Sequence, residues 1–235
     1  MAQKFLILVR KMIPLLACAL FFVSCGKSSE RLGNEALRVG DFDRAIKKFA
    51  EALDESPADR DARYGLALSY FGKAEAAEKI NQRSLDLWTK AESEFRILSK
   101  IDNSAAKKMH STVLFYLARA TIAKDPQAKV LGILDESIAL DSSNAFSFNL
   151  KALVLQGMGE VDEAKAIFIR ILSEYPDFAP AYSNLGNLYW EAGQIEDAWD
   201  IWSMGVIQFP KNRHLKYWTK VAEDSLKNRV LEEGK

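Results

Sequence analysis

The sequence predicts an all-α chain built from stacked helical hairpins, and three observations carry that expectation. Residue types recur at an interval of 34: Gly159 with Gly193, Ala164 with Ala198, Phe168 with Trp202, and Pro176 with Pro210. Phe148 with Tyr182, Ala152 with Gly186, and Leu155 with Tyr189 keep the same interval, and a period of this length marks a repeat architecture. Small and large residues take fixed places within the period. Finally, 49% of the 235 residues are hydrophobic and 27% charged, too apolar for a disordered chain, while six prolines and twelve glycines exclude collagen-like character.

Those places have a physical logic. Gly186, Ala198 and Gly205 are small enough to let two antiparallel helices approach closely. Tyr182, Leu185, Tyr189 and Trp202 fill the space between one hairpin and the next. Gly193 marks the turn inside the hairpin, and Pro210 stops the second helix because proline cannot donate the intrahelical bond. Each hairpin leaves an apolar face uncovered, so stacking is what makes the core.

From the N-terminus, Met1–Lys11 supplies positive charge and Met12–Val23 is an unbroken run of apolar and small residues. That run is too short for a spanning helix, which needs about 20 residues, but suits the apolar region of an export signal. It ends at Phe22-Val23-Ser24-Cys25-Gly26-Lys27-Ser28-Ser29, which resembles the bacterial lipobox. The resemblance implies that 1–24 is removed and that Cys25 becomes a lipid-bearing N-terminus. Cys18, after Leu15-Leu16-Ala17, is the other candidate, but it would leave the apolar stretch Ala19–Val23 on the mature protein. An ordinary secretory signal with an incidental cysteine is the remaining alternative. A lipid would contribute about 0.8 kcal/mol per buried CH₂, and two or more chains would hold the protein stably at a bilayer.

The hairpins follow in order. The first, at about 26–59, carries Ala45-x3-Phe49-x2-Ala52-x4-Pro57 after Gly33 and Gly40. The second, 60–105, opens with Leu66-Ala67-x2-Tyr70, but its second-helix pattern, Ala91-x3-Phe95-x2-Leu98, arrives 12 residues late. The inserted Lys73–Ser84 consists of strong helix formers with a break expected near Asn81-Gln82. Shared between both helices, it should lengthen each by about six residues, or about 9 Å. The third, 111–144, has Leu114-x2-Leu117-Ala118 and Val130-x3-Leu134, with Pro126 at the first turn of its second helix and Ser142 in the proline place. Ser104 is placed to cap a longer helix there. The fourth and fifth are 145–178 and 179–212. In 213–235, Leu215, Trp218, Ala222 and Leu226 form an apolar stripe, with Lys216, Lys220, Glu223 and Lys227 on other faces. This is the pattern of a terminal capping helix with a polar outer side.

The 34-residue period and the order Tyr182-x2-Leu185-Gly186-x2-Tyr189, Ala198-x3-Trp202, Pro210 resemble the tetratricopeptide repeat (TPR). The resemblance covers nearly all of the mature chain. It implies a right-handed superhelical solenoid of about five hairpins plus a capping helix, with first helices lining a concave groove where ligands lie. By repeat position that wall receives Tyr64, Leu68 and Phe71 from the second copy, and Phe115, Tyr116 and Arg119 from the third. The fourth adds Phe146, Asn149 and Leu153, and the fifth adds Asn184, Asn187 and Trp190. Asparagines among aromatics suit an extended peptide, because amides can pair with its backbone while rings hold side chains. As exposed amides they should contribute little to folding. Chaperone-binding members of the family clamp a terminal carboxylate with first-helix Lys and Arg. Here Arg119 is the only basic residue of that set from the second copy onward, so that specificity is not expected.

Charge and cysteine usage exclude several classes. The chain has 32 basic and 32 acidic residues; without Lys4, Arg10 and Lys11 of the removed segment, 29 basic face 32 acidic. A mildly acidic protein is not expected to bind nucleic acid. Both cysteines lie within the first 25 residues, which leaves no disulfide framework or cysteine-based zinc site in the body. His110 and His214 are far apart, and neither a metal nor a cofactor is expected. There is no GxSxG, P-loop or HExxH, and Asp162 and Glu163 read as a solvated face, so no enzyme is expected. The expectation is a membrane-anchored scaffold facing the periplasm or exterior of a bacterial envelope, with a protein or peptide partner in its groove. The alternative is a carrier of a small hydrophobic ligand working with an envelope transporter.

Overall fold

A computed structural model describes residues 28–79, 84–101, 104–122 and 127–233. Among these residues there are helices and turns and no strand. Helix α1 spans 28–38, followed by α2 (Phe42–Glu55), α3 (Arg60–Lys79), α4 (Leu85–Ser99) and α5 (Ser104–Thr121). Then come α6 (Gln127–Leu140), α7 (Ala145–Met158), α8 (Val161–Glu174), α9 (Ala179–Glu191), α10 (Ile195–Gln208) and α11 (Arg213–Glu233). They form two compact units that divide between Ala120 and Thr121. Cys18, Cys25, the Asn81-Gln82 break and Pro126 lie outside the described residues.

Polar residues start the first helices. Asp59 Oδ1 accepts from the N–H groups of Asp61 and Ala62, each at 3.0 Å, and Asn144 Oδ1 accepts from Ser147 N–H at 3.2 Å. Asn212 Oδ1 does the same for His214 and Leu215, at 3.0 and 3.2 Å. Each satisfies backbone donors that the helix itself leaves unpaired, at about 1 kcal/mol per cap. Inside the fourth and fifth hairpins the chain turns through Gly159 (φ 90°) and Gly193 (φ 75°), a left-handed conformation that glycine adopts without steric cost. Helices α8 and α10 end just ahead of Pro176 and Pro210.

One packing device recurs in both units. Phe49, Phe95, Phe168 and Trp202 are fully buried on α2, α4, α8 and α10, each one turn after a fully buried alanine: Ala45, Ala91, Ala164 and Ala198. The rings press against first helices where side chains are missing. A Cβ on Gly65 would lie 2.3 Å from the Phe49 ring, and one on Gly186 would lie 2.1 Å from Trp202 Nε1. In the first unit, one core gathers α1, α2 and α3 around Phe49, and a second gathers α3, α4 and α5 around Trp88 and Phe95. In the second unit, α7, α8 and α9 close around Phe168 and Ile171, while α9, α10 and α11 close around Trp202 and Leu215.

The insertion departs from expectation. It is not shared equally: α3 has 20 residues and α4 has 15, against 14 in each of α7 and α8. The reason lies in what the added turns touch. Ala74 and Ala77 are buried, and Glu78 Oε1 accepts from the Trp88 indole N–H at 2.8 Å. Glu78 also pairs with Arg119 on α5. The run Lys73–Lys79 therefore continues α3 along a surface that α4 and α5 supply, as its helix-forming residues favour.

Gly186→Ala should lower stability by about 1–3 kcal/mol, because the added methyl group must displace a buried indole. Met204→Ala deletes more atoms, but at a position 53% exposed, and should be nearly neutral. Urea unfolding midpoints of the two variants check this, and equal midpoints would contradict the packing register.

Candidate functional site

In the second unit α7 meets α9 and α9 meets α11, so these three first-row helices form one wall, with α8 and α10 packed behind them. Asn184 Nδ2 donates to Asn149 Oδ1 at 2.8 Å, and Gln156 Nε2 donates to Glu191 Oε2 at 3.0 Å. Both bonds tie α7 to α9. Asn187, one turn further along α9 than Asn184, is half-buried and makes no hydrogen bond among the described residues. Trp190 follows it by another turn, with its ring centroid 6.0 Å from Trp202 and 6.1 Å from Trp218. Phe146 on α7 is 58% exposed, edge-on to Phe178 at 5.0 Å, and Leu153 is exposed beyond it.

This arrangement has a definite chemistry. A primary amide carries two donors and an acceptor, which match the N–H and C=O groups of an extended peptide. Asn187 offers all of them, next to an indole edge and exposed apolar side chains. Asn149 and Asn184 differ from the sequence expectation, because each already holds the other and their bond contributes to joining two helices. They support the wall as well as facing outward from it.

In the first unit the expected wall residues are engaged with the core. Tyr64 lies edge-on to Phe95 with centroids 5.8 Å apart, and Leu68 is half-buried against the core around Trp88. Tyr116 stacks on Trp88 at 4.6 Å, with Phe71 and Phe115 edge-on to Tyr116 at 5.7 and 5.2 Å. The Arg119 guanidinium sits 4.8 Å from the Tyr116 ring centre and is paired with Glu78, so its charge is already matched. A cleft of about 500 Å³ opens beside Tyr64, bounded by Arg60, Asp61, Leu98, Ile101 and Ala105.

Sequence reading missed a buried polar bridge between α4 and α5. His110 is 1% exposed; its Nδ1 meets Ser99 Oγ at 3.0 Å and its Nε2 meets Glu92 Oε1 at 3.2 Å. The residue types match a hydrolytic relay, but Ser99 is itself buried between helices and its hydroxyl also reaches the Arg96 carbonyl at 3.2 Å. The bridge satisfies a buried imidazole. Burial pushes the Glu92 carboxyl up, but hydrogen bonds from His110 and Arg96 outweigh it, leaving Glu92 below the usual carboxylate range. A depressed carboxylate contributes stability that is full above the ordinary glutamate pKa of about 4.3 and is lost as pH falls through its lower folded value. Glu92→Gln should therefore be less stable than wild type at neutral pH, with the gap closing in acid. Urea midpoints from neutral pH down to pH 3 would show it, and an undiminished gap in acid would contradict it.

Among the described residues no group of three or more His, Cys, Asp or Glu side chains is placed to hold a metal, and no helix is long and apolar enough to cross a membrane. Stacked hairpins presenting a row of first helices define a helical-repeat scaffold for protein–protein interaction, a class whose members are generally not enzymes. Tetratricopeptide repeat family models match residues 30–92 and 155–217, and the chain belongs to the tetratricopeptide repeat family.

A TPR repeat-containing protein of Dictyostelium discoideum is 28% identical over 125 residues, which are 52% of this chain and 43% of that protein. The STIP1 homolog of the same organism is 31% identical over 101 residues, 39% of this chain and 18% of that protein. The match thus spans less than half the length of either relative. Among solved structures, YrrB, a TPR protein with an unusual peptide-binding site, aligns with a TM-score of 0.57 at 19% identity, covering 82% of this chain and 90% of YrrB. A tetratricopeptide repeat protein from Parabacteroides merdae aligns at 0.59 and 14% identity, covering 90% of this chain and 77% of its own. At these identities the likeness is one of fold.

Proposed function

We propose that this chain is a membrane-anchored interaction scaffold of a bacterial envelope, facing the periplasm or exterior, and that the α7–α9–α11 wall takes a protein or peptide partner. The observation that carries the reading is Asn187, a half-buried amide without a hydrogen bond among the described residues, beside Trp190. Its polar atoms are not buried away from solvent, so both donors and the acceptor are free to pair with a partner backbone. YrrB, which shares the fold, is described as having a peptide-binding site of its own. The anchor in this reading is a lipid on Cys25, close before α1 in sequence, which would hold the first unit near the bilayer.

Two sets of variants test it. Asn187→Ala should weaken partner binding by about 1 kcal/mol, roughly fivefold, with no change in melting temperature. Asn184→Ala should lower both, because it also breaks the bond to Asn149. If Asn184→Ala, Asn187→Ala and Trp190→Ala all bind as wild type does, the wall is not the site. For the anchor, Cys25→Ala should abolish incorporation of radiolabelled palmitate and Cys18→Ala should leave it intact; the reverse result moves the attachment to Cys18.

The cleft beside Tyr64 favours a second reading, that of a carrier. Its volume of about 500 Å³ falls within the usual range for small-molecule sites. That reading requires a lipid-like ligand retained in native mass spectrometry and lost on Tyr64→Ala, with the asparagines dispensable.

A further inference from the structure

Trp218 on α11 stands 34 residues after Asn184 and so takes the same repeat position on the next first-row helix. Its ring centroid lies 6.1 Å from that of Trp190, with the planes inclined at 60°, and this contact joins α11 to the wall. Both rings rest on the fully buried Trp202, at 6.0 Å from Trp190 and 5.6 Å from Trp218. Trp190 and Trp218 are themselves half-buried. Neither indole N–H donates to any group among the described residues, and neither is shut away from solvent, since the buried side-chain polar atom without a partner is Ser203 Oγ. The packing tryptophans differ: Trp88 Nε1 donates to Glu78, and Trp202 Nε1 donates to the Ser183 carbonyl. Trp199, exposed on the second helix α10, makes no ring contact among the described residues.

We propose that the peptide segment seated on Asn187 carries proline at the Trp190–Trp218 pair, its ring laid on the indoles and a neighbouring carbonyl accepting from an indole N–H. The proposal rests on the peptide-binding reading of the wall and adds what the peptide must contain. An indole N–H is a donor and nothing else. Glu191, beside Trp190, is engaged by Gln156, and Asp224, at the repeat position of Trp190 on α11, is engaged by Lys220. The pair therefore offers an arriving chain two aromatic rings and two donors. An ordinary residue laid across them would take its backbone N–H out of water without a strong acceptor to replace it. Proline has no N–H to lose, packs its ring on aromatic surfaces, and leaves the carbonyls on either side free to accept. It also holds the segment extended before binding, which lowers the entropy lost on docking. Asn187 lies three residues before Trp190, about 4.5 Å along the helix, or one to two residues of extended chain. Its amide, with donors and an acceptor, suits a neighbouring residue that keeps its N–H.

The test uses the full chain, immobilised, against a displayed library of randomised twelve-residue peptides. The enriched peptides should share a proline at one position, above its frequency in the starting library. In the best of them, alanine in place of that proline should weaken binding about tenfold. Trp190→Phe and Trp218→Phe each keep an aromatic ring and remove the donor. At least one of them should weaken the same peptide about fivefold, the loss of one hydrogen bond, with circular dichroism unchanged. In proton–nitrogen correlation spectra of the wild-type chain, the indole N–H signals of Trp190 and Trp218 should shift when the peptide is added, and that of Trp199 should stay. Enriched peptides without a shared proline, still weakened by Asn187→Ala, would overturn this inference and leave the wall reading standing. A shared proline with the Trp190 and Trp218 signals unmoved would overturn the placement of proline on the pair. Enrichment of no peptide would overturn both readings.

Discussion

The structure depends on one steric constraint: a large ring from each second helix must fit where a neighbouring first helix has almost no side chain. Phe49 against Gly65 and Trp202 against Gly186 are the tightest instances. Burying a ring of this size contributes about 1.5–3 kcal/mol, and the alanine one turn before it lets the backbones approach closely enough to realise that gain. The same constraint sorts the faces of the first helices. On α9, Tyr182, Leu185 and Gly186 turn to the core, while Asn184, Asn187 and Trp190 take the other side. Since the packed side already holds the hairpin together, the outward side can carry residues chosen for recognition.

That outward side is partly pre-ordered. The Asn149–Asn184 bond and the Gln156–Glu191 bond hold α7 and α9 in register, so Asn187 is presented by a fixed surface. Side chains held in place before binding lose less entropy when a partner arrives, which favours affinity from a small contact. In the first unit the rings around Trp88 are spent on packing, and Arg119 is matched by Glu78. The two units thus use the same repeat positions differently.

Much of the fold was legible because the period constrains small and large residues at fixed offsets, and glycine and proline punctuate the same places in successive copies. The Ala-x3-ring pairs Ala45/Phe49, Ala91/Phe95, Ala164/Phe168 and Ala198/Trp202 are the clearest case. What escaped the sequence depended on contacts between helices. The insertion extends α3 because Ala74 and Glu78 find partners on α4 and α5, which no local propensity reports. The bond between Asn149 and Asn184 joins residues 35 apart, so position alone could place both on the wall but could not say that they meet. His110 was read only as a lone imidazole, although Glu92 and Ser99, seven apart on α4, share a face that can receive both of its nitrogens.

The central claim is that the first-helix wall of the second unit, rather than the second-helix side, meets the partner. Site-specific photo-crosslinking in cells tests it most directly. A benzoyl-phenylalanine replaces Phe146 or Tyr217 on the wall, and Ile169 or Met204 on the second helices, all of which are exposed. The account predicts a discrete protein adduct from positions 146 and 217 and none from 169 and 204. An adduct from 169 or 204, with none from the wall, would contradict it.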